Sequence, residues 1–131
     1  MCMYTYNPRQ RAKENITVYK VICQKRFEYD TWAGPYNFEN HFPFNKLIKN
    51  KEKHDRITLK DGMKVIGKGY FHCLWSWDSA IRLKNIVEHE LRFSKLRVKA
   101  VKCIIPEGTS YYSQGSEIAT KNIIVTDEEV A

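Results

Sequence analysis

One helical period stands alone in this chain. Residues 77–92, WDSAIRLKNIVEHELR, return to the same side of a helix with Trp77, Ala80, Leu83 or Lys84, Val87 and Leu91. Ser76 is placed to cap its first turn and Asp78 to sit where the helix dipole favours negative charge. Lys84, Glu88 and Arg92 fall four residues apart on the other side, spaced for ion pairs. Around this segment the chain reads in twos. ENITVYKVICQ sets Ile16, Val18 and Ile22 against Tyr19, Val21 and Cys23, and SKLRVKAVKCIIP sets Leu96, Val98, Ala100 and Ile104 against Arg97, Lys99, Val101 and Cys103. Such β-branched alternation marks strands covered on both faces, with the first half of the second strand wet on one side. A single amphipathic helix among strands must lay its apolar stripe on their sheet. The expected fold is therefore α+β, a mixed or antiparallel sheet of about five strands with one main helix, 77 to about 92, packed across it and short helical pieces elsewhere.

The remaining segments are weaker signals. FEYDTWAGPYNFENHFPF, broken by Gly34-Pro35 and Pro43, reads as an irregular loop or short hairpin. Its Trp32, Tyr36, Phe38 and Phe42 would tuck beneath the sheet or offer a surface on which a base stacks. Asp61-Gly62 between RITL and MKVIG predicts a tight hairpin. Pro106-Glu107-Gly108 reads as a turn, TSYYSQGSEIAT as a polar loop turning at Gly115, and NIIVT as a short closing strand. Residues 127–131, DEEVA, form an acidic tail expected to fray. At 131 residues the chain suits one domain, 1–131. No apolar run is long enough for a membrane span and the first residues lack the core of a signal peptide, so a cytoplasmic location is expected, with no membrane partner.

Charge narrows the partners. The formal balance is +7, and residues 46–68 hold eight Lys and Arg against three Asp and Glu, Lys64 and Lys68 among them. A field of that sign draws anions: a nucleotide, RNA, or the acidic face of a host protein. The aromatic excess would equally suit a homodimer interface.

The densest chemistry lies in GYFHCLWSWDSA, residues 69–80. Strand alternation turns Phe71, Cys73 and Trp75 to one face and Tyr70, His72 and Leu74 to the other. His72 and Cys73 then cannot ligate one metal or act as one nucleophile pair, and no metal site is expected. Of four cysteines without C-x-x-C spacing, three read as small buried apolar residues on strands. No phosphate-cradling glycine loop and no G-x-S-x-G elbow occurs, so no catalytic residue and no cofactor is assigned. The residues expected to meet a ligand are Lys20, Lys64, Lys68, Tyr70, His72, Trp75, Tyr111 and Tyr112: lysines for phosphate, rings for a base.

VYKVI, GKGYFHCLWSWDSA and VKCIIPEGTSYYSQG followed by NIIV resemble an uncharacterised family of short proteins from gut bacteria, their phages and mobile elements. That resemblance implies a non-enzymatic binder that captures a nucleotide signal or RNA, or inhibits a host nucleic-acid-handling or defence protein. A looser similarity to ADP-ribosyltransferase-like folds implies the alternative, an enzyme using a nicotinamide dinucleotide, with Lys20, His72 and Glu117 at its site.

Overall fold

The computed structural model describes residues 3–25, 28–34, 37–49, 57–67 and 69–130. Along them run β1 (Met3–Thr5), β2 (Gln10–Arg11), β3 (Ile16–Lys25), β4 (Glu28–Gly34), β5 (Asn37–His41), β6 (Leu47–Lys49), β7 (Ile57–Lys60), β8 (Met63–Ile66) and β9 (Phe71–Leu74), then α1 (Trp77–Glu90), β10 (Val98–Ile105), β11 (Ser110–Gln114), β12 (Glu117–Thr120) and β13 (Asn122–Glu129). The class is the expected α+β, and every strand pair among the described residues is antiparallel. The strand number is not the expected five. The main sheet has ten strands, with the path β2-β11-β12-β9-β3-β10-β13-β6 and the β4–β5 hairpin joined to β3; β1, β8 and β7 form a second sheet of three.

The long alternating segments supply the centre. β3 and β10 pair from Cys23↔Val98 to Ile16↔Ile105, with β13 on the far side of β10. Alternation then sorts the side chains into two cores. Val18, Ile22, Cys73, Val101, Cys103, Ile105, Ile118, Ile123 and Val125 fill the main core on one face. Val21 and Ala100, on the other face, meet Ala80 and Val87 of the helix. A third, smaller cluster of Met3, Ile66, Tyr70, Tyr112 and Ala119 joins the small sheet to β11 and β12. Cys23, Cys73 and Cys103 are buried free thiols on strands, as their sequence context suggested.

Several segments depart from the sequence reading. TSYYSQGSEIAT is a regular hairpin, β11–β12, paired from Tyr111↔Thr120 to Gln114↔Glu117 across a turn at Gly115, whose φ of 55° suits glycine. The aromatic stretch after β3 holds β4 and β5, and Leu47–Lys49 is a strand along β13. Where a frayed tail was expected, β13 runs to Glu129, and Val130 is buried with its N–H on the Ala100 carbonyl at 2.8 Å; residue 131 lies outside the described residues. A bulge in the β10–β13 pairing accompanies this, where the Thr126 hydroxyl donates to the Lys102 carbonyl at 2.8 Å. The Asp61-Gly62 turn closes β7–β8 as expected, both residues having positive φ (52° and 80°), as a primed hairpin turn requires.

The helix begins where its cap predicted. The Ser76 hydroxyl accepts from the Ser79 N–H at 3.2 Å, and Lys84 pairs with Glu88 at 3.2 Å. Arg92 does not extend that ladder; it donates to the His89 carbonyl and lies over the Phe93 ring. Trp77, expected on the buried stripe, is 47% exposed, because the stripe that meets the sheet runs through Ala80, Leu83, Val87 and Leu91. No helix among the described residues is long and apolar enough to cross a membrane.

Candidate functional site

Two places on the margin of the main core combine aromatic rings with cations. The first is a groove of about 650 Å³ lined by Gln10, Arg11, Lys13, Glu14, Ile16 and Tyr111. The chain builds it by bringing the short edge strand β2 alongside β11, where Ser110 pairs with Arg11 and Tyr111 with Gln10. Backbone bonds from Ala12 to the Thr109 carbonyl (2.9 Å) and from Gly108 to the Ala12 carbonyl (2.8 Å) lock this edge onto the Pro106–Thr109 turn. Gly108 allows the turn with a φ of 86°. Tyr111 is half-buried; its hydroxyl donates to Gln10 Oε1 at 2.8 Å and its ring meets Trp75 edge-on at 6.3 Å. Arg11 is held at the rim by one N–H on the Gly108 carbonyl (3.0 Å), with the rest of its donor fork remaining. Lys13 is exposed beside it, opposed only by Glu14 within the lining. An aromatic wall with two cations at its rim can take a flat apolar ring and the anion attached to it.

The second place lies near the other end of β3 and β10. Trp32 and Phe42 are buried in the main core and Phe44 packs against it. Phe42 and Phe44 arrive on the crossing from β5 to β6, pinned by the Asn45 N–H on the Val125 carbonyl at 2.8 Å. The Lys99 amine sits 4.1 Å from the Trp32 ring centre and 4.8 Å from that of Phe44, with the Arg97 guanidinium 5.9 Å from Trp32. These are cation–π distances. Among the described residues Arg97 and Lys99 meet rings and no carboxylate.

The sequence-derived residues fall unevenly on this frame. Trp75 and Tyr111 are brought together. Lys20 projects from β3 on the main-core face; its amine donates to the His72 carbonyl at 2.8 Å and lies 5.1 Å from the Phe42 ring. Tyr70 and Tyr112 are 5% and 4% exposed and stack edge-on at 5.9 Å in the small core, so neither offers a surface to a base. Lys64, on β8, donates to the Asn7 carbonyl at 3.0 Å, tying the small sheet to the chain near β1. Lys68, Tyr36 and the side chain of Phe38 lie outside the described residues.

His72 is half-buried. It stands opposite Ala119, with Nε2 out of water and without a hydrogen-bond partner among the described residues. Burial, then the positive charge of Lys20, push its pKa down to about 4, partly offset by a hydrogen bond with the Gly67 backbone. It is neutral at pH 7. Burial likewise lifts the Cys73 thiol to about 11, leaving it a poor nucleophile.

The enzyme constellation does not assemble on one face. Glu117 pairs with Leu74 and shares a face with His72, whereas Lys20 points into the opposite core and reaches only the backbone of His72. Cys103 and His72 are also separated, on strands that flank β3 and on opposite faces. No group of three His, Cys, Asp or Glu among the described residues could hold a metal ion. Comparison with protein-family models, curated proteins and solved structures gave no match.

Sequence reasoning missed Gln10, Arg11, Lys13, Arg97 and Lys99. The run Arg9-Gln10-Arg11-Ala12-Lys13 carried a signal in its charge density. Nothing local indicated that Trp32 would lie under Lys99, since 67 positions separate them.

Proposed function

We propose that this chain is a non-enzymatic binding protein that captures an anionic, base-bearing ligand of nucleotide type. The observation that carries the reading is the groove itself, in which the half-buried Tyr111, backed by Trp75, faces a rim bearing Arg11 and Lys13. Ring stacking takes a base without regard to its identity, and the cations take phosphate. In a phage or mobile element, the setting implied by the sequence resemblance, such capture would sequester a nucleotide signal or RNA. The same basic face would serve to block a host nucleic-acid-handling or defence protein.

Calorimetric titration with nucleoside monophosphates, cyclic dinucleotides and short RNA tests the reading. Binding is expected in the wild type, weakened about tenfold or more in both Tyr111→Ala and Arg11→Glu, in keeping with about 1–3 kcal/mol for a base on an aromatic ring. Absence of binding to every probe, or binding that neither variant weakens, would overturn it. Capture from host lysate before and after nuclease treatment separates a protein target from nucleic acid.

A further inference from the structure

We infer that the ligand is an extended single strand of nucleic acid and not a lone nucleotide. The inference rests on the binding reading above and adds a second contact to it. Ile16, which lines the groove, pairs with Ile105; six residues further along β3, Ile22 pairs with Lys99 of the second aromatic and cationic place. At about 3.4 Å per residue the two places are roughly 20 Å apart along the strand. A mononucleotide in the groove does not reach Lys99 or Arg97. A strand of several nucleotides does, its phosphates meeting Arg97 and Lys99 above rings that are themselves core residues, and site sizes of about four nucleotides or more are usual for such strands.

The composition of the second place suits that role. Arg97 is exposed and Lys99 half-buried, both held at ring distance from Trp32, so the cations are positioned before a ligand arrives. The helix lies on the other face of the sheet, away from both places. A polyanion held at both would release counterions at each, so its affinity would fall more steeply with salt than that of a mononucleotide.

A length series decides it. Uridylates and thymidylates of one, four and eight nucleotides are titrated into the full chain at low salt, with wild type, Arg97→Glu and Arg82→Glu compared. Arg82 is exposed on the helix and changes the net charge by the same amount as Arg97. Affinity in the wild type should rise about tenfold or more from one to eight nucleotides with at least one of the two sugars. Arg97→Glu should remove most of that rise while leaving the mononucleotide unchanged, and Arg82→Glu should spare it. Lys99→Met, which keeps the packing on Trp32, should repeat the Arg97→Glu result, and melting curves establish that each variant is folded. If mononucleotides bind and the series is flat, or if Arg82→Glu is as damaging as Arg97→Glu, the second contact is refuted while the groove stands. If nothing in the series binds, the groove reading falls with it.

Discussion

Replacing His72 with Asn should flatten the acid side of the stability curve. The folded chain holds the imidazole neutral, with its pKa near 4, whereas an unfolded histidine titrates near 6.5. A folded pKa below the unfolded one means that the unfolded chain takes the proton first as pH falls. Stability is therefore fully present above pH 6.5 and is lost through the window down to about 4, at about 1.4 kcal/mol per pH unit at most. Between pH 7 and pH 4.5 this integrates to about 2 kcal/mol, a sizeable share of the roughly 5–15 kcal/mol that usually holds a domain together. Asn keeps a donor near the Gly67 backbone and removes the titration. Carboxylates titrate in both proteins, so subtracting the two curves isolates His72. Urea melts at pH 7, 6, 5 and 4.5 give the comparison, with wild type losing about 2 kcal/mol more than the variant over that range. Parallel curves would refute the burial and the unpartnered Nε2 on which the argument stands.

The other expectations follow from single contacts. Lys20→Met should raise the His72 pKa toward its ordinary value, read from imidazole proton shifts against pH, because the Lys20 charge is one of the causes that depress it. Ile118→Ala, in the main core at 0% exposure, should cost about 2–5 kcal/mol in denaturant melts. Deleting residues 128–131 should lower the melting temperature measurably, since it removes the buried Val130 and its bond to Ala100; no change would restore the frayed tail expected from composition. Cys73 should resist alkylation at pH 8 in the folded chain and react once urea unfolds it, burial having raised its thiol to about 11.

What could be read from the sequence was whatever local patterning controls. The helix was legible because Ser76 caps it and apolar residues recur at its period; β3 and β10 were legible because β-branched residues alternate without interruption. The hairpin β11–β12 was not, because Ser, Gln and Gly imitate a loop, although Tyr111 and Tyr112 as strand neighbours must point apart. Recognising that strand would have assigned Tyr112 to the opposite face from Tyr111, as the structure does. The two- and three-residue strands β1, β2 and β6 carry too few positions for any period to show. They exist because longer neighbours offer them unpaired backbone groups. The site was half legible for a similar reason: Trp75 and Tyr111 stood out by type, but their meeting, and that of Trp32 with Lys99, depends on pairings distant in sequence.

Photocrosslinking locates the ligand most directly. A 4-thiouridine oligomer irradiated on the protein, followed by trypsin and mass spectrometry, should mark the peptide of residues 103–121 at Tyr111. Adducts confined to the helix, residues 77–90, or no adduct under conditions where the oligomer binds, would contradict the groove as the place where this chain holds its ligand.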